Sequence, residues 1–404
     1  MPWTETCAMD ERIRFVIEYD QDELSMTQLC AKYNISRKTG YKWLRRAAED
    51  GLDHLHDRSR RPQRCPCQTP IEIEQAVLAL RAAHPTWGPK KLLRRLRDSD
   101  NRIVWPARST IAQILHRHGL AIARKRRCRA TPSQQPLAHC EKANAVWCID
   151  FKGWFRTADG RRCDPLTLSD GYSRYILRCQ AVDKTSALGV LPVLEAAFRE
   201  YGLPRAIRSD NGPPFASCSL HGLTKLNIWW IKLGIVHERI EPGKPQQNGR
   251  HERMHLTLKQ ETCRPPAGAM RAQQRRFDRF VEMFNHQRPH EALGLDTPAM
   301  HYARSPRPYP ARLPEMTYPS DWACRQVRHS GEVKFQGAPF YLSQALTGEP
   351  VGLEPLDGRH WRVHFGPVPL GVFDEAAHRL LRPRELTRRG LAVRPPAGPP
   401  PSAT

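Results

Sequence analysis

No apolar stretch in this sequence approaches the roughly 18 to 20 residues of a membrane-spanning helix, so no membrane span is expected. Residues Met1 to Asp10 lack a basic start followed by an apolar segment, which argues against a signal peptide. The 12 cysteines show no framework spacing, and they are read as reduced thiols of a cytoplasmic protein. A zinc site is also poorly supported. The nearest pattern, His54, His56, Cys65 and Cys67, holds its two thiols only one residue apart, and Asp57 to Pro62 reads as a basic linker. Acid is scarce relative to base: 41 Asp and Glu face 64 Lys and Arg, giving a net charge of +23 spread along the chain. That excess makes nucleic acid the expected partner. At 404 residues the chain should divide into several domains.

The first expected domain, residues 1–60, contains a helix-turn-helix pattern over 10–46. Ser25-Met26-Thr27-Gln28 forms a capping box that starts one helix, Ile35 lies in the turn, and Ser36 caps the next helix. That second helix presents Arg37, Lys38, Tyr41 and Lys42, while Trp43 and Leu44 face inward. The arrangement suits a helix lying in a DNA major groove, and an ordinary helical bundle with a solvated basic face is the alternative. A second unit of winged helix-turn-helix type is expected over 70–125. Here Ile111, Ile114 and Leu115 make a buried stripe behind Arg108 and Ser109, and Trp87 is a core anchor. Residues 126–144 continue as a basic linker.

From residue 145 the pattern changes to strands, at 145–152, 165–169 and 174–182, with Asp170-Gly171 as a turn. A helix over 186–201, a strand ending at Asp210, a helix over 220–233, a strand near 235–240 and a further helix follow. This order implies an α/β domain with a mixed sheet, extending to residue 303. Residues 304–324 are proline-rich and read as an extended spacer. Over 325–380, alternation around Val333, Phe335, Trp361, Val363 and Phe365 and an Asp357-Gly358 turn imply a small β-barrel, with Arg359, Arg362 and His364 on its polar face. The Pro-rich residues 381–404 are expected to be a disordered tail.

Three acids stand in distinctive settings: Asp150 in Trp147-Cys148-Ile149-Asp150-Phe151-Lys152, Asp210 in Ser209-Asp210-Asn211-Gly212, and Glu252 after Pro245-Gln246-Gln247-Asn248-Gly249-Arg250-His251. Each alone could be structural. Two strand-borne aspartates and a helix-borne glutamate on so basic a chain suggest instead a cage for Mg2+ or Mn2+, which prefer oxygen ligands. Asp150 lies within an apolar run, where a buried unpaired charge would cost several kcal/mol. Asp164 and Asp170 are set aside because each is read as lying in or beside a strand-connecting turn.

With these motifs and Asn285-His286-Gln287-Arg288-Pro289-His290-Glu291-Ala292-Leu293 followed by Thr297-Pro298, the chain resembles insertion-sequence transposases with a retroviral-integrase-type DDE core. The resemblance is strongest over 145–303 and implies an RNase H-like fold. It also implies that Asp150, Asp210 and Glu252 are catalytic and bind two divalent ions. Fifty-nine residues separate the first pair and 41 the second, a gap somewhat longer than typical, which an extended helix around Trp229 and Trp230 could absorb. Arg250, Arg253, His255 and Lys259 are candidate DNA contacts on the Glu252 helix. The implied partners are double-stranded DNA, as terminal inverted repeats and target, and further copies of the chain assembled on that DNA in the bacterial nucleoid. An RNase H-like structure-specific nuclease and an inactive DNA-binding copy are the alternatives.

Overall fold

The computed structural model describes residues 7–58, 68–121, 140–216, 223–241, 249–381 and 385–386. These fall into two compact units, divided at Thr69 and Pro70.

The first unit holds α1 (Ala8–Asp20), α2 (Met26–Lys32) and α3 (Arg37–Asp50). The Ser25 amide donates to Gln28 Oε1 at 3.0 Å, and the Thr39 amide donates to Ser36 Oγ at 3.2 Å, so both expected caps are present. Phe15, Leu29, Trp43 and Leu55 make the core. Helices approach closely at Gly40, where a Cβ would lie 2.8 Å from Cys30 Sγ and 2.9 Å from the Phe15 ring. Only a residue without a side chain fits there.

The second unit opens with α4 (Ile71–Ala83), α5 (Pro89–Ser99) and α6 (Arg108–Arg117). Ile111, Ile114 and Leu115 are buried with Trp87, whose ring stacks on His84 at 3.8 Å. The expected wing is not seen: residues 68–121 contain no strand among those described. Nor is this helical group a separate body. Thr86 bonds Glu261, Lys90 pairs with Glu291 at 3.3 Å, and Arg94 pairs with Asp296 at 3.2 Å, so α5 is docked on the domain that follows.

That domain contains β1 (Val146–Phe151), β2 (Phe155–Arg156), β3 (Arg162–Asp170), β4 (Ile176–Val182), α7 (Ala187–Tyr201), β5 (Ala206–Ser209), α8 (Lys225–Lys232), β6 (Val236–Arg239), α9 (Gly249–Thr262) and α10 (Met270–His286). β1, β3 and β4 run antiparallel, whereas β1, β5 and β6 run parallel, which is the expected mixed sheet. Trp147, Ile149, Leu166 and Leu168 face α7 and α8 on one side. Cys163, Ile176 and Cys179 meet α9 and α10 on the other. Covering both faces explains why nearly all of β3 is buried. The outer edge of β4 is satisfied by amides of α10: Asn285 exchanges hydrogen bonds with the Ile176 amide (2.8 Å) and carbonyl (2.9 Å), and Gln274 with the Ala181 amide (2.8 Å) and the Cys179 carbonyl (2.9 Å). Unpaired backbone is thereby removed from a sheet edge. The helix around Trp229 and Trp230 has only 8 residues, so among the described residues it does not supply the extra length between Asp210 and Glu252.

The Pro-rich segment is a strap rather than a free spacer. The Arg307 guanidinium donates to the carbonyls of Pro204 (2.9 Å), Leu233 (2.8 Å) and Gly234 (3.2 Å), and Tyr309 packs on the α7 core. Beyond it lie β7 (Ala323–Gln326), β8 (Glu332–Phe335), β9 (Ala338–Tyr341), β10 (Pro350–Pro355), β11 (His360–Phe365), β12 (Val368–Asp374) and β13 (Arg379–Leu380). The expected barrel is not closed: the order β13-β12-β11-β10-β7 is an open five-stranded sheet, and β8-β9 is a separate hairpin. Their shared core receives Leu223 and Ile228 from the α8 region, and Lys232 pairs with Glu349 at 2.9 Å. Arg359 is paired with Asp374 at 2.9 Å, while Arg362 (2.9 Å) and His364 (3.1 Å) share Glu354, so these basic groups are neutralised within the sheet.

Candidate active site

Parallel pairing of β1 with β5 aligns Val146 with Ala206, Trp147 with Ile207 and Cys148 with Arg208. Continued by two residues, the same register sets Asp210 beside Asp150, at the carboxyl ends of neighbouring strands. Glu252 enters from the first turn of α9 and is exposed. Burial, followed by the charge of Asp210, pushes the Asp150 carboxyl up to about 7, and Glu252 adds to the effect. Asp210 and Glu252 therefore both act on Asp150 electrostatically.

Among the described residues no group of three His, Cys, Asp or Glu side chains is close enough to enclose an ion. The donor chemistry nevertheless fits one. Asp210 Oδ1 is buried without a hydrogen-bond partner, and Asp150 carries a charge that its surroundings resist. A hard divalent cation with oxygen ligands would satisfy both. Asp164 and Asp170 have other partners. Asp164 lies inside β3, not in a turn, and binds Arg162 Nε at 2.6 Å; Asp170 accepts from the amides of Asn144 (2.8 Å) and Ser173 (2.7 Å).

Beneath α9, Thr167 is the register partner of Asp150, and its hydroxyl donates to the Asp150 carbonyl at 3.0 Å. The same oxygen meets Nε2 of His251 at 2.6 Å and Nε2 of His255 at 2.7 Å. His255 was expected to reach DNA phosphate. It is instead 5% exposed, with Nδ1 3.8 Å from Asp150 Oδ2, and burial lowers its pKa to about 2. A neutral, enclosed ring cannot bind a phosphate at the surface. Thr167 and His251 were missed by sequence reasoning. Their signals are a polar residue between two buried leucines in β3, and two histidines spaced i, i+4 on the stripe shared with Met254 and Leu258.

The other candidate contacts divide clearly. Arg37, Lys38, Tyr41 and Lys42 are exposed on α3, with Lys42 Nζ 4.2 Å from the Trp43 ring centroid. Arg108 and Ser109 are exposed at the start of α6, and Arg253 and Lys259 are exposed on α9. The Arg250 side chain and the Gln246-Gln247-Asn248 loop lie outside the described residues.

Residues 141–245 and, overlapping them, 233–298 match the family described as the integrase core domain. Residues 11–63 match a helix-turn-helix domain and residues 39–115 a homeodomain-like domain. A 31.7 kDa protein of insertion element IS407 from Burkholderia multivorans is 29% identical over 191 residues, covering 47% of this chain and 66% of its own length. A 39.2 kDa protein of insertion element IS476 from Xanthomonas euvesicatoria is 31% identical over 179 residues, covering 44% of this chain and 50% of its own length. The chain thus spans between half and two thirds of these relatives. A cryoEM structure of the simian T-cell lymphotropic virus intasome in complex with PP2A regulatory subunit B56 gamma is 16% identical, with a TM-score of 0.36, covering 76% of this chain and 100% of that one. The chain thus carries an integrase core domain preceded by helix-turn-helix and homeodomain-like domains, and it is similar to proteins of two bacterial insertion elements.

Proposed function

We propose that this protein cleaves DNA at the ends of a mobile element and joins the freed ends to target DNA, using Asp150, Asp210 and Glu252 as ligands for two Mg2+ or Mn2+ ions. The observation that carries this reading is the raised Asp150 carboxyl, strained by burial, by Asp210 at the end of the paired parallel strand and by Glu252 on α9. Two bound ions would activate water or a DNA 3′-hydroxyl and stabilise the leaving oxygen without a covalent enzyme intermediate.

The chain's own groups prepare that site. Asp150 and Asp210 are fixed by strand pairing, and Glu252 is fixed by α9, which the Thr167 hydroxyl ties to the Asp150 main chain. Lys259 lies seven residues beyond Glu252 on the exposed side of α9, about 10 Å along the helix at 1.5 Å per residue, and holds a DNA phosphate leading into the site. Arg253 lies on the same exposed side. Arg37, Lys38, Tyr41 and Lys42 read the terminal repeats in the major groove, and Arg108 and Ser109 add a second contact. Double-stranded DNA is the substrate, copies of the chain assemble on it, and the nucleoid is the location this implies. No described helix is long and apolar enough to cross a membrane.

A nuclease of the same fold would use the same acids without joining strands. Incubating labelled end DNA and supercoiled target with Mg2+ separates the two. Covalently joined products support a transposase, whereas nicks alone support the nuclease.

A further inference from the structure

The hydroxyl of Thr167 has three polar neighbours and a single proton. Its Oγ1 lies 3.0 Å from the Asp150 carbonyl, 2.6 Å from His251 Nε2 and 2.7 Å from His255 Nε2. A carbonyl oxygen can only accept, so the hydroxyl proton is committed to Asp150. The two remaining lone pairs must then receive N–H from both histidines, which fixes each as the Nε2–H form. A neutral imidazole protonated at Nε2 has a bare Nδ1. For His251 this form is compatible with its other contact, since its Nδ1 lies 3.0 Å from Ser169 Oγ, a hydroxyl able to donate to it.

For His255 no donor meets Nδ1 among the described residues. Its neighbour is Asp150 Oδ2 at 3.8 Å, and two acceptors cannot bond each other. The ring is buried, with the His251 ring 4.6 Å away, and 3.8 Å is too long for an Nδ1–H to bond the Asp150 carboxylate. A lone pair is therefore held by a rigid network beside the carboxylate that most needs a cation.

We propose that His255 Nδ1 is a nitrogen ligand, alongside Asp150, for one of the divalent ions, which makes the site a mixed nitrogen and oxygen site. This rests on the reading that Asp150 binds a cation. Both ions prefer oxygen, but Mg2+ tolerates a nitrogen ligand least, so the full-length protein should bind Mn2+ more tightly than Mg2+. His255→Gln should lower Mn2+ affinity roughly tenfold and change Mg2+ affinity by no more than about twofold.

The deciding experiment is pulsed electron paramagnetic resonance of the full-length protein loaded with Mn2+ alone, in ordinary and 15N-histidine-labelled forms. The expected result is an imidazole 14N coupling that changes to 15N on labelling and disappears in His255→Gln. Should that variant not fold, His255→Asn is the second replacement, since it too removes the imidazole nitrogen. If Asp150→Asn abolishes Mn2+ binding but the wild type shows no histidine coupling, the inference is overturned and the carboxylate site stands. If Asp150→Asn binds Mn2+ like the wild type, the carboxylate reading fails first and the inference fails with it.

Discussion

Replacing Asp150 with Asn should stabilise the metal-free protein, although it removes a residue assigned to catalysis. The Asp150 carboxyl is raised from 3.8 to about 7, chiefly by burial and then by Asp210. A shift of about 3 units corresponds to roughly 4 kcal/mol at 1.36 kcal/mol per unit, an upper bound for a side chain that keeps 22% of its surface exposed. The sign follows from linkage. The folded state holds this proton more tightly than the unfolded chain, so its contribution is fully present below about pH 4 and is lost as pH rises through about 7. Above pH 7 the wild type folds against the cost of an ionised Asp150, whereas Asn carries no charge and avoids it. Thermal melts in chelator should therefore show the variant more stable at pH 8, by several degrees at about 2 °C per kcal/mol, with the difference vanishing near pH 4. Added Mg2+ should raise the melting temperature of the wild type and not that of the variant. Coincident melts of the two proteins at pH 8 without metal would refute the reasoning.

Lys259→Ala should reduce strand joining and lower the salt dependence of DNA binding by about one phosphate contact, with Lys259→Arg restoring part of the activity; unchanged joining across a salt series would make Lys259 a solvated residue. Arg307→Ala removes a guanidinium that holds three carbonyls and should cost about 2 to 4 kcal/mol by denaturant titration, while exposed Arg312→Ala should stay within about 0.5. Trp87→Ala should cost about 3 to 5 kcal/mol. Trp87→Phe should cost much less, because the buried Nε1 has no partner to lose, so equal costs for the two would contradict the packing account. Arg37→Ala and Lys38→Ala should weaken footprinting of the element's ends more than binding to random DNA, and an equal loss on both would move specificity elsewhere.

The sequence made the acids legible because each sits in a local motif whose secondary structure follows from pattern: an apolar strand, a strand-end turn, and a helix after a Gly, Gln and Asn-rich loop. The caps at Ser25 and Ser36 were legible for the same reason, being interactions over three residues. Interactions between distant segments were not. Asn285 looks like a polar residue near a helix end until β4 is seen beside it, 109 residues away in sequence. Ser305 to Pro310 has the composition of a spacer, and nothing local reveals that Arg307 will find three carbonyls 73 to 103 residues away in sequence. His255 was assigned to the surface from its distance along α9 to Glu252, but its side chain falls on the stripe of Met254 and Leu258 and turns inward. In the C-terminal domain, alternation identified strands correctly, yet closure depends on pairing between the first and last strands, which alternation does not encode.

The central claim is that Asp150, Asp210 and Glu252 form a single metal-dependent site for joining DNA. Its most direct test is to assay Asp150→Asn, Asp210→Asn and Glu252→Gln in parallel, each folded and bound to end DNA, for cleavage and joining in Mg2+. All three should bind the ends nearly as the wild type does and yield neither cleaved nor joined product; Mg2+-dependent joining that survives any one substitution would contradict the account.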